Sequence, residues 1–394
     1  MAVLLATLVF GATFVVLGAV PHIADASTSA LPRAASNTEV HPLLNTSLTN
    51  AQGSFVDVAM GHLDEPLNTF WQLFYLPNGK SNWTLVTPPG VASNGGLVMA
   101  ANERNALVVG FRPSNFLTYS PVSITDDGGH VWSVTALPDG LLDRNDALAL
   151  GGDGEIAALI DGYGPEVMTS NGSASTWRSL VSQESLSKSP NANRCGIKDL
   201  TGVTFSEESD VVVGASCARP GVVGIFEETG SSWDLIGPSL SSKSAHNDVE
   251  VLDFAPVGAV TAALFAESGP LGTSLVSAWQ KTGGTWGTSP PLSLRPSTTV
   301  TSVGPDGEGG FFVLVSDGSS KPTLELYRPG GASWERLASP PQGTKTVVFI
   351  AATRSIESIT VNGDNFGCWV LNAQENTWGE RQRLIVPIQY GSSS

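Results

Sequence analysis

Residues Thr299–Val315, TVTSVGPDGEGGFFVLV, followed by Thr323–Trp334, TLELYRPGGASW, set the reading of the whole chain. Two apolar segments flank a Gly/Asp-rich turn, then come a third segment, a tight Pro-Gly-Gly turn and a tryptophan. Short apolar segments punctuated by such turns are the signature of an antiparallel meander. The pattern recurs. Ala147–Ile160, ALALGGDGEIAALI, leads into VMTSNGSASTW, which ends at Trp177. Seven of the ten tryptophans, Trp83, Trp132, Trp177, Trp233, Trp286, Trp334 and Trp378, lie at successive spacings of 49, 45, 56, 53, 48 and 44 residues. Their surroundings agree as well. Gly stands three residues before Trp132, Trp233, Trp286 and Trp334, and Ser or Thr immediately precedes Trp177, Trp233, Trp286, Trp334 and Trp378. A period of this length with four short strands per unit is that of a propeller blade.

The expected fold is therefore all-β: a β-propeller of seven four-stranded blades within residues 41–390. Six intervals between tryptophans and one split unit give that number, with six or eight blades as alternatives. The segment from His41 to Trp83 is shorter than a full repeat, and only GERQRLIVPIQY and a polar tail (391–394) follow Trp378. Closure is expected through pairing of the C-terminal strand with the N-terminal blade, which would remove unpaired edges. No window shows a helical period over three turns.

Composition is consistent with this. Of 394 residues, 43 are Gly and 25 Pro, 41% are hydrophobic and 14% charged. Those values exclude a coiled coil, a helical bundle and an acidic disordered tail. The net charge of −16, from 20 Lys and Arg against 36 Asp and Glu, argues against nucleic acid as a partner, because phosphate binding needs clustered cations.

Ala2–Val20, AVLLATLVFGATFVVLGAV, is an uncharged apolar run, and Ala24-Asp25-Ala26 follows as a small-x-small cleavage site. Residues 1–26 are expected to be a secretory signal or, uncleaved, a membrane tether. An Ala/Ser-rich linker (27–40) would follow. The protein is thus placed outside the cell or at the exterior of its envelope, as a monomer. In that oxidising setting Cys195 and Cys217 are expected to pair, leaving Cys368, within NFGCWVL, as a buried thiol. Asn45, Asn82 and Asn171 each begin an N-glycosylation tripeptide.

At Thr125 the chain reads TDDGGHVW. This resembles the Asp-box, or BNR repeat, of the sialidase-like propeller superfamily, with Thr125, Asp127, Gly129 and Trp132 in its four fixed positions. Other units keep parts of it: SNGSASTW from Ser170 and YRPGGASW from Tyr327. The resemblance implies a structural turn on the face away from any ligand. The superfamily includes sialidases, other glycosidases, assembly factors and receptor ectodomains, so the fold sets no chemistry.

A sialidase-type site would require three converging arginines, a Tyr/Glu pair and an acid/base Asp. The superfamily's Arg-Ile-Pro segment is missing near the N-terminus; Phe111-Arg112-Pro113 lies in the wrong unit and lacks the Ile. Tyr163, in DGYGPE beside Asp161 and Glu166, is the loop tyrosine with carboxylates nearby. A stronger pattern precedes three successive inner strands: Asn145-Asp146, Lys198-Asp199 and Asn247-Asp248. Equivalent strand starts would gather Asp146, Asp199 and Asp248 at one channel mouth, with Arg144, Arg194 and His246 nearby and Arg112 and Arg219 in the adjoining loops. Such a set suits a sugar or small anion, with Asp146, Asp199 and Tyr163 as the catalytic candidates. The plainer alternative is that each Asp bonds amides at a strand start. His22, His41, His62, His130 and His246 show no metal-ligand spacing, so neither a metal nor a cofactor is expected. The functional expectation is an exported, non-catalytic binding or assembly module for protein or glycan. The alternative is a divergent sialidase-like glycoside hydrolase with its site at the channel mouth.

Overall fold

The computed structural model of the chain describes residues 47–388, apart from 62–68, 89–95, 103–105, 112–118, 139, 143, 145, 207–208, 241–246, 258–259, 271, 282–284 and 319–320. The segments read as signal or tether (1–26), linker (27–40) and tail (391–394) lie outside the described residues, as do Arg112 and His246. Among the described residues no helix is long and apolar enough to cross a membrane.

The opening stretch folds as four strands, Thr299–Pro305, Phe311–Ser316, Thr323–Tyr327 and Glu335–Arg336, paired in that order. Asp306 makes the first turn: its Oδ1 accepts the Glu308 and Gly310 N–H groups at 2.8 and 2.7 Å. Gly310 is required by space, because a Cβ there would lie 1.9 Å from the Tyr327 carbonyl oxygen. The second strand shows why its text is continuously apolar. Phe311 and Val313 pack towards the preceding sheet, and Phe312 and Leu314 towards the following one. Alternate side chains therefore bury on both faces.

Five sheets have this four-stranded form: 47–85, 97–137, 148–182, 299–336 and 344–385. A sixth, nine-stranded sheet has two halves, 197–235 and 248–293, joined where Ser216 pairs with Glu250. The seven marker tryptophans all stand within one residue of the start of an outer strand, as Trp177 does in Trp177–Ser182 and Trp334 before Glu335–Arg336. Among the described residues, apolar clusters join 47–85 to 97–137, 97–137 to 148–182, 148–182 to 197–235, 197–235 to 248–293, 248–293 to 299–336, and 299–336 to 344–385. A seventh cluster joins 344–385 back to 47–85. Its first-to-last seam includes Phe74 stacked on Phe366 at a centroid distance of 4.0 Å. Face-to-face sheets arranged in this way make an all-β propeller.

The expected closure by strand pairing is corrected here. The C-terminal strand Thr377–Ile385 pairs with Asn365–Asn372 of its own meander, and Ser47–Thr49 pairs with Gly53–Gly61. No unit is split. The N-terminal meander is complete because its first strand is only three residues long, and GERQRLI is the body of the last outer strand. The seam is thus made by side-chain packing. Among the described residues the helical content is one short turn, Gln183–Ser187, capped by Ser182, and a 3-10 turn, Ala192–Arg194. This connector is held by a disulfide between Cys195 and Cys217, whose Cα atoms are 4.8 Å apart.

Candidate functional site

The first strand of each meander contacts the first strand of the next, and Thr344–Ile350 contacts Ser47–Thr49, so these strands surround a channel. A cavity of about 550 Å³ lies within it. Its walls come mainly from the carboxyl ends of the first strands and the turns after them, including Asn50, Asn102, Gly151, Ser206 and Pro305. Asp146 and Phe254 line it at greater depth.

Asp146 is buried and bridges three units. Its carbonyl oxygen accepts the Val203 N–H at 2.8 Å, and its Oδ2 accepts the Phe254 N–H at 2.9 Å. Gly202 lies alongside, where a Cβ would stand 2.7 Å from that of Asp146. Behind it, Asp253 is also buried. Burial first, and then the neighbouring Asp146 charge, push the Asp253 carboxyl well above the usual carboxylate range.

The three aspartates read as one mouth are not equivalent. The strand Leu148–Leu150 begins late, which sets Asp146 level with Gly202 and Asp253, whereas Asp199 and Asp248 stand near the starts of their strands. Asp199 receives a two-pronged contact from Arg144, at 2.6 Å to Oδ2 and 3.0 Å to Oδ1, with Asp161 a further 4.0 Å from the same guanidinium. Asp248 faces Lys198 at 3.7 Å. In both pairs the cation comes from the preceding unit, so the acids tie neighbours together.

Arg194 and Arg219 are exposed beside the disulfide, with the Arg219 N–H bonded to the Cys195 carbonyl oxygen at 3.0 Å. Tyr163 is fully exposed at the tip of its turn. At the Thr125–Trp132 turn, Thr125 Oγ1 donates to Asp127 Oδ1 at 2.8 Å and accepts the Gly129 N–H at 3.0 Å. Asp127 Oδ1 also accepts the His130 and Val131 amides, and the Val131 contact leads the hydrogen bonds that lower the Asp127 carboxyl below its usual range. Gly128 and Gly129 have φ of 73° and 89°, as the turn demands.

Among the buried acids that escaped the sequence reading are Asp57, Asp253 and Glu357. Each interrupts an apolar strand, in FVDVAM, VLDFAPV and SIESITV, and that interruption was the available signal. The inner-strand bulges at Leu200/Gly202, Val251/Asp253, Val300/Ser302 and Thr344/Thr346 had no such signal. Among the described residues no cluster of His, Cys, Asp or Glu is arranged to hold a metal ion.

No protein-family model and no curated protein matches the chain. Solved structures do. The chain is similar to the periplasmic gluconolactonase of Pseudomonas aeruginosa at 14% identity, covering 86% of this chain and 97% of that one, with a TM-score of 0.53. A protein from Lactobacillus plantarum matches at 10% identity, 86% and 98% coverage and a TM-score of 0.53. TolB from Acinetobacter baumannii matches at 15% identity and a TM-score of 0.46, over 73% of this chain and 64% of TolB. At these identities the likeness to the first two is one of fold.

Proposed function

We propose that the chain is an exported, monomeric, seven-bladed Asp-box propeller acting as a non-catalytic binding or assembly module for protein or glycan. The blade count is supported by the seven apolar clusters that run from sheet to sheet and return to the first. Asp-box ancestry is supported by the hydrogen bonding of Thr125 and Asp127 in the TDDGGHVW turn. Export is supported by the apolar N-terminal run and by the disulfide, which suits an oxidising compartment.

The observation that carries the functional reading is the use made of the candidate acids. Asp146 is bonded to Phe254, Asp199 to Arg144 and Asp248 to Lys198, each across a boundary between units. A hydrolase needs a carboxyl pair facing a bond to be broken. Here the carboxylates hold the ring, whose cavity is left to receive a ligand.

The test uses the mature protein against a panel of chromogenic glycosides, in parallel with glycan arrays and cell-envelope fractions. Saturable binding without sugar release is expected. Release that disappears in Asp199→Asn would establish the hydrolase instead.

A further inference from the structure

We infer that the channel cavity is a binding site for a small hydroxylated amine of the amino-sugar class, entered from the face that carries the turns between first and second strands. The inference rests on the binding-module reading above and makes its ligand specific.

The entry face follows from topology. In an antiparallel meander the turn after the first strand and the turn after the third lie at the same end. The cavity is lined by the former, at Asn50, Asn102, Gly151 and Ser206, so it opens on the face that also carries the Thr125–Trp132 turn, contrary to the placement that the Asp-box resemblance implies. Gln52 Nε2 donates to the Asp126 carbonyl oxygen at 3.0 Å, joining a turn of each kind. The exposed residues Arg219 and Tyr163 belong to second-to-third-strand turns and therefore to the opposite face.

The ligand class follows from the walls. A volume of about 550 Å³ falls within the usual range for small-molecule sites. Hydroxyl and amide side chains, among them Ser47, Asn102, Thr204 and Ser206, alternate with the apolar surfaces of Phe205 and Phe254, a mixture that fits the hydroxyls and C–H faces of a sugar. Among the described lining residues the one ionisable side chain is Asp146, and none is Lys or Arg. Asp146, with the buried Asp253 behind it, makes the inner end of the cavity acidic. In that partly desolvated setting an ammonium group is favoured and a carboxylate disfavoured, opposite to a sialic acid site.

The test is calorimetric titration of the mature protein with D-glucosamine, D-glucose and D-glucuronate. Glucosamine is expected to bind best and glucuronate worst. Asp146→Asn retains an acceptor for the Phe254 N–H but removes the charge, and roughly a tenfold loss of glucosamine affinity is expected. Gly152→Trp places a large ring at the cavity wall, where a Cβ meets no atom within 4 Å, and should abolish binding without disturbing the fold. Arg219→Ala, on the opposite face, should leave binding unchanged. Equal affinity for glucosamine and glucose, no saturable binding of glucosamine, or binding retained in Gly152→Trp would each overturn the inference. Array binding that persists in Gly152→Trp would leave the binding-module reading intact while removing this site, whereas glycoside turnover would remove that reading itself.

Discussion

The indole Nε1 of Trp286 donates to the Ile236 carbonyl oxygen at 2.7 Å, tying one unit to the residue three positions beyond the tryptophan of the unit before it. A like tie, to the third or fourth residue beyond the preceding tryptophan, recurs from Trp132 to Val86 at 3.2 Å, Trp334 to Pro290 at 2.8 Å and Trp378 to Ala338 at 3.1 Å. At the seam the relation is kept by a side chain. Gln382, four residues beyond Trp378, accepts the Trp83 N–H at 2.7 Å and donates to the Trp83 carbonyl oxygen at 3.0 Å. In these units the sequence period is thus the imprint of a repeated contact between neighbours.

That contact has a measurable worth. Trp286→Phe removes the donor and leaves the Ile236 carbonyl oxygen without it, whereas the Trp177 Nε1 is buried with no partner from the start. Both substitutions lose similar ring area. Denaturant unfolding should find Trp286→Phe more destabilising than Trp177→Phe by about 1 kcal/mol. Equal effects would show that the ties are geometric only.

Glu357 is the most heavily used acid of the seam. It is fully buried, accepts Trp83 Nε1 at 3.0 Å and the Cys368 thiol at 3.0 Å, and takes both terminal nitrogens of Arg381. Glu357→Ala strands a mostly buried guanidinium, and such losses run to roughly 3–5 kcal/mol. Glu357→Gln, which keeps acceptor capacity, should cost less. Denaturation midpoints at constant m-value decide the matter.

Cys368 follows from the same cluster. Burial first, then the Glu357 charge, push its thiol far above the ordinary range, so almost no thiolate forms at neutral pH. Native protein should resist a maleimide, and labelling should appear only as the ring unfolds in denaturant. Rapid labelling under native conditions would mean that the first-to-last seam opens locally.

The buried carboxyls predict an unusual pH response. Both oxygens of Asp57 are buried with no hydrogen-bond partner, and burial raises its carboxyl well above the usual range. The folded state therefore binds a proton more tightly than the unfolded chain. The stabilisation is complete below the unfolded value of about 4 and is lost as pH rises towards the folded one. Asp253 acts in the same direction. Asp57→Asn should remove part of the decline in unfolding free energy between pH 4 and pH 8 and stabilise the protein at the upper end. An unchanged slope would show that Asp57 is solvated.

Much of the fold could be read from Trp83 to Trp378 because all seven markers lie at the outer strands, and Trp132, Trp286, Trp334 and Trp378 make the same tie to the unit before. Asp306 and Asp153 were likewise legible as turn residues; Asp153 Oδ1 accepts the Glu155 N–H at 3.0 Å. The candidate site was legible only as a list. Asp146, Asp199 and Asp248 stood out as acids near strand starts, but their partners Phe254, Arg144 and Lys198 lie in other units, and linear spacing carries no trace of that. The three-residue strand Ser47–Thr49 was too short to read, and so the closure was misassigned to strand exchange.

The central claim is that the sheets close into a ring around the channel, with the first and last sheets in contact. A double-mutant cycle at Phe74 and Phe366, each changed to Leu alone and together, tests this most directly, since the two rings stack at 4.0 Å across the seam. Closure predicts a coupling free energy of about 0.5–1.5 kcal/mol in equilibrium unfolding. Strict additivity of the two single changes would contradict it.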